Sequence, residues 1–115
     1  MARTYSPKVK KLLRQFWIEA YERELHRELT ALDQSFSEWR EGRIRSDELS
    51  RRIHRYETGP SRELYRTYHG GEQDLVVASA IVSGVLDREE IPDALLDVLD
   101  APIRFCASMM AEEEQ

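Results

Sequence analysis

From Pro7 to Gly42 the chain runs without an intervening glycine or proline, and its apolar residues recur every three or four positions. Ser6 followed by Pro7 opens this stretch as a helix start: a side-chain oxygen for the free amides, then a proline at the first helical position, where its missing N–H costs nothing. Gly42 is placed to close it as a C-terminal cap. The apolar positions begin as Val9, Leu13, Phe16 and Ala20. They then shift to a second stripe, Ile18, Tyr21, Leu25, Leu29, Leu32, Phe36 and Trp39, whose mean step of 3.5 is that of a helix-pairing seam. A helix over about 7–41 spans roughly 50 Å. A compact chain of this size has a diameter of only about 34 Å. The helix therefore bends, overhangs, or is covered by a second chain, and the seam packs either within the chain or in a homodimer.

The rest of the sequence reads as helix as well. Asp47 to Tyr56, capped by Ser46, places Leu49, Ile53 and Tyr56 on an inward face. Gly59 and Pro60 interrupt that periodicity, yet it resumes at Leu64 and Tyr68, so a kinked helix or two abutting helices are expected over 47–69. Asp74 to Leu86 is apolar on every side and reads as a central helix, its small residues (Ala80 with Gly84, Ser79 with Ser83) spaced to admit a neighbouring backbone. Pro92 starts a further stretch with an inward stripe of Leu95, Leu99, Ile103, Cys106 and Met110, kinked near Pro102. The fold class is all-α: an irregular bundle of four to five helices in one domain over 1–115, with 1–5 and 111–115 frayed.

At 115 residues, 41% hydrophobic and 34% charged, the chain is too short for two ordinary domains and too rich in large apolar side chains for a disordered tail. It has no apolar run of membrane-spanning length. One cysteine, Cys106, makes no intrachain disulfide, which fits a cytoplasmic protein. The net charge of -5 conceals an asymmetry. Residues 1–14 hold five basic side chains and no acid, while 87–115 hold nine acids against Arg88 and Arg104. The two ends are complementary, within a chain or between two, and that complementarity would set orientation more than affinity.

No arrangement announces catalysis: no nucleophile elbow, no glycine-rich phosphate loop, and no cofactor is expected. A metal reading rests on Glu22 with His26 and on His54 with Glu57, each pair on one helix face. It is opposed by Arg23, Arg51 and Arg66, which stand three residues before His26, His54 and His69. A nucleic-acid reading rests on the eight arginines between 40 and 66, interleaved with Trp39, Tyr56, Tyr65 and Tyr68. Several of those arginines have an acid at helical spacing, so pairing within the chain is the more economical account, and core packing that of the aromatic rings. The helix break brings His54, Arg55, Arg62 and Tyr65 near one another in sequence, as a candidate polar site. The preferred function is protein interaction or assembly, with self-association through the long first helix. The alternatives are a nucleic-acid-associated protein using residues 40–66 and a helical-bundle metal protein or enzyme.

Overall fold

The computed structural model describes residues 4–113, and among them every regular element is helical. Helix α1 runs from Pro7 to Arg40, α2 from Ser46 to Tyr56, α3 from Arg62 to Gly70, α4 from Gln73 to Ser83, α5 from Asp93 to Val98 and α6 from Asp100 to Glu113. The all-α class and the long first helix are as expected. Residues 1–3 and 114–115, which include Arg3 and Glu114 of the charged ends, lie outside the described residues. Residues 111–113 continue α6.

The chain forms two compact units, divided between Ala20 and Tyr21 and again between Gly70 and Gly71. The first takes the opening turns of α1 together with α4, α5 and α6. Its start is fixed as the sequence implies: Ser6 Oγ accepts the Val9 amide at 3.2 Å. Val9, Leu13, Phe16 and Ala20 are buried, as are Val76, Val77, Ala78, Ala80 and Ile81 of α4 and Leu86, Ile91, Leu95, Leu99 and Ile103 beyond it. Each leucine taken wholly out of water here, Leu86, Leu95 and Leu99, contributes about 2 kcal/mol of transfer free energy. Helix α4 packs against α6, as a central apolar helix should.

Near Pro102 the helix breaks at Leu99, whose dihedrals (φ -93°, ψ 2°) leave the helical range, and α6 begins at the next residue. Pro102 is then buried in the first turn of α6, where helix amides have no intrahelical partner and a residue without an N–H loses nothing. Between α4 and α5 a single turn, Arg88–Glu90, is closed by reciprocal bonds: Asp87 accepts the Glu89 amide and Glu90 accepts the Asp87 amide.

The second unit, Tyr21–Gly70, is an antiparallel helical hairpin. The remainder of α1 forms one arm. The other is continuous from Ser46 to Gly70, because the residues around Gly59 and Pro60 make a π-helical turn, Glu57–Ser61, rather than a loop. Proline has no amide for the residue four back, and its ring crowds that carbonyl; widening the turn by one residue relieves both while the chain stays helical. The expected kink near Pro60 is this turn.

Two expectations about small residues are corrected. Gly84 does not admit a neighbouring backbone: a Cβ placed there meets nothing within 4 Å. It ends α4 in the left-handed conformation, φ 86°, with its amide on the Ile81 carbonyl. Ser46 does not cap α2; the helix starts at Ser46 itself, and its hydroxyl accepts the indole N–H of Trp39 at 3.0 Å. Gly42 does close α1, at φ 77°, with the Arg43 amide on the Glu38 carbonyl and its own on that of Trp39. Substituting Gly42→Ala or Gly84→Ala is expected to cost about 1 kcal/mol, because a Cβ is strained at positive φ. Gly59→Ala, at negative φ in open space, should gain about 0.5 kcal/mol. Urea denaturation of the three variants checks the opposite signs.

Candidate functional site

Within the second unit α1 carries two stripes that differ in chemistry. Glu24, Glu28, Ala31, Ser35 and Glu38 step by four, three, four and three, so they share one face. This polar face meets the other arm of the hairpin. Arg52 donates to Ser35 Oγ at 3.1 Å and to Glu38 Oε2 at 2.8 Å, and its Nε lies 3.6 Å from Glu48. Ser35 is buried, so its bond to Arg52 is what makes its burial tolerable. Toward the other end of the hairpin the Tyr68 hydroxyl donates to Glu24, and the Tyr68 ring stacks on Tyr21 at 4.8 Å between centroids. Between these two attachments lies a hollow of about 220 Å³, bounded by Glu28, Ala31, Leu32 and Ser35 on one side and by Arg52, Arg55, Tyr56 and Pro60 on the other.

The apolar stripe of α1 is displaced from that face and remains largely open. Leu29 is 48% exposed and Trp39 41%, while Tyr21, Leu25, Leu32 and Phe36 are half-buried. Ile18, at the start of the seam and within the first unit, is 50% exposed. On the opposing arm only Leu49 and Tyr68 are buried. Ile53, expected to face inward with Leu49, is exposed. Tyr65 is 59% exposed and stacks on His69 at 4.2 Å, so its expected core role does not hold. Two helices joined this way enclose little apolar volume, since a helical core needs facing stripes from more than one pair.

The candidate polar site at the break is distributed differently from its sequence order. His54 and Arg55 border one shallow surface depression with Ser50 and Arg51. Tyr65 belongs instead with His69 and Tyr21 in an aromatic cluster, His69 meeting Tyr21 edge-on at 5.4 Å. Arg62 is exposed. Arg55 is directed to Glu48 at 3.4 Å, and Arg51 reaches both Asp47 at 3.5 Å and Glu48 at 3.3 Å. Lost hydration would raise the Glu48 carboxyl, but the hydrogen bond from Arg51 and the charges of Arg51, Arg55 and Arg52 hold it below the ordinary carboxylate range. The acid-before-base pairs Asp47 with Arg51 and Glu48 with Arg52 form as the spacing predicts. Glu24 accepts the Tyr68 hydroxyl.

Among the described residues no group of three or more histidines, cysteines, aspartates or glutamates is arranged to hold a metal ion. His26 sits beside the Thr30 hydroxyl at 3.4 Å. In the first unit, Lys10 and Arg14 of the cationic end border a cleft of about 530 Å³ with Tyr5, Leu13, Glu72, Gln73 and Asp74. Buried Asp74 is engaged there, accepting the Tyr5 hydroxyl at 2.7 Å and the Leu75 amide at 2.8 Å. Cys106, expected to be buried, is half-buried with its thiol 3.8 Å from the Leu75 carbonyl. Burial first, and then the Asp74 charge, push that thiol above its ordinary value, away from the thiolate a nucleophile needs.

No family model matches this chain, and no curated protein or solved structure does either. Among the described residues no helix is long and apolar enough to cross a membrane.

The polar stripe of α1 and its partner Arg52 are what reading the sequence for apolar period missed. The available signal was the same three-and-four spacing in Glu24, Glu28, Ser35 and Glu38, opposite an arginine-rich helix. Burial, and then the hydrogen bond to Glu24 and its charge, raise the Tyr68 phenol above its ordinary value. An unfolded tyrosine ionises near pH 10. The raised native value therefore stabilises the fold fully below pH 10, and that contribution is lost as pH rises above it. Thermal denaturation between pH 9 and 11 is expected to show a steeper loss of stability for the wild-type chain than for Tyr68→Phe. At neutral pH the same variant should be less stable by about 1 kcal/mol.

Proposed function

We propose that this chain is an assembly protein that acts by self-association, two copies joining through the open seam of α1. The observation that carries the reading is the hairpin Tyr21–Gly70: its arms hold each other through polar attachments and leave Leu29 and Trp39 exposed, with Leu25, Leu32 and Phe36 only half-covered. Large apolar side chains spaced as a pairing seam on one helix are the usual mark of a surface that meets another protein. Two such hairpins placed seam to seam would bury on each other the apolar side chains that one hairpin leaves in water. The reading includes the cytoplasmic location that a single free cysteine favours.

The nucleic-acid alternative has less support. Arg51, Arg52 and Arg55 are each directed to an acid of their own unit, which leaves little cationic field on that helix for a phosphate backbone.

Light scattering and sedimentation test the proposal. The wild-type chain is expected to be a dimer at micromolar concentration. Leu29→Glu, which alters a side chain already half in water, should weaken dimerisation by about 100-fold, on the order of 3 kcal/mol. The circular dichroism of the separated chains should remain helical. A wild-type chain that stays monomeric at millimolar concentration overturns the proposal.

A further inference from the structure

The seam of α1 is bordered along one edge by charges whose order has a consequence for how a second copy lies on it. Glu22 and Arg40 are eighteen residues apart, which is five turns of an α-helix, so they stand in line. Between them, turned by a further 20° to 40° around the helix, come Asp33 and His26. All four are exposed. Read from Glu22 to Arg40 the edge runs acid, imidazole, acid, base. The other edge of the seam is occupied within the hairpin itself, where Tyr21 stacks on Tyr68 and the Trp39 indole donates to Ser46.

We infer that the second copy lies antiparallel on this seam, the two α1 helices crossing near Thr30 and Ala31 with Glu22 of each copy beside Arg40 of the other. The inference rests on the self-association proposed above. Two helices related by an axis perpendicular to both bring the same edge of each together, whereas a parallel pair brings opposite edges together. Only the antiparallel pair therefore sets the open charged edge against itself. About a centre between residues 30 and 31 the apolar positions also interleave, Leu25 opposite Phe36 of the second copy and Leu29 opposite Leu32. The edge then reads acid against base: Glu22 falls within one residue of Arg40 in the second copy, and Asp33 within two of His26. Such pairs contribute little affinity at a solvated rim, but they select one orientation against another.

Cross-linking separates the orientations. In a Cys106→Ser background, Leu25→Cys and Phe36→Cys chains are mixed in a glutathione redox buffer. In the antiparallel pair these positions face each other across the seam, whereas residue 25 and its own counterpart stand about 16 Å apart along the axis, beyond the reach of a disulfide. The mixture is expected to form the mixed Leu25→Cys with Phe36→Cys disulfide, and either variant alone to form almost none. A Leu25→Cys chain that cross-links to itself as fast as the mixture overturns the orientation and leaves self-association standing.

A second measurement does not depend on seam packing. At low salt Glu22→Arg should weaken dimerisation about tenfold, because two like-charge contacts replace two favourable ones, and adding Arg40→Glu should bring it back to within about twofold. A double variant no better than the single one overturns the inference. A monomeric wild-type chain in light scattering removes the self-association on which it rests.

Discussion

The second unit depends on one helix carrying two stripes. Along α1 the apolar residues that are buried in the first unit, Val9, Leu13, Phe16 and Ala20, give way after Ala20 to a polar stripe, Glu24 to Glu38, which takes up the pairing with the other arm. The apolar residues continue on an adjoining face, of which Tyr21 and Trp39 reach that arm while Leu29 stays exposed. A helix has a fixed 100° step, so a change in which positions are apolar is a change in which direction is apolar. The contacts within the two units therefore differ in kind: the first buries aliphatic surface, while the second sets Arg52 and Tyr68 on Ser35, Glu38 and Glu24 beside the Tyr21–Tyr68 stack and buried Leu49.

Polar attachments of this kind define a geometry more than they stabilise it. Exposed and half-exposed ion pairs contribute tenths of a kcal/mol to about 1 kcal/mol each, and they need their partners at set positions. The hairpin is consequently specific in register, with Glu38 opposite Arg52 and Glu24 opposite Tyr68, yet has little apolar interior of its own. The π-helical turn at Glu57–Ser61 lets both attachments form on one unbroken arm. An uninterrupted helix with proline at position 60 would lose an amide bond and crowd the carbonyl four residues back. The chain stays helical from Leu49 to Tyr68 by adding a residue to one turn.

Much of the fold was legible because it rests on local rules. Ser6 with Pro7, Gly42 with its positive φ, the aliphatic stripe Leu95, Leu99 and Ile103, and the acid-before-base pairs at Asp47 and Glu48 all follow from what backbone and neighbouring side chains require within a turn or two. The assignments that shifted were those where a residue had a local role available and a distant partner took it. Ser46 is a good cap, but Trp39 uses its hydroxyl. Tyr65 has its place among the aromatic rings expected in the core, but it stacks on His69 at the surface. Gly84 read as a packing residue and is a helix terminator, because its positive φ is not visible in its neighbours' spacing.

The sequence by itself determined the all-α class, the extent of the first helix, where its apolar stripe lies, and that regular helix is disturbed near Pro60 and Pro102, since each is fixed by period, capping or the geometry of proline. Tertiary structure alone decided which stripe of α1 meets the rest of its own hairpin. Apolar and polar stripes on one helix have the same spacing, and a periodicity cannot say which of them a neighbouring arm will cover. That choice is made by Arg52 and Tyr68, whose partners lie fourteen and forty-four residues away, and by taking the polar face it leaves the apolar one open.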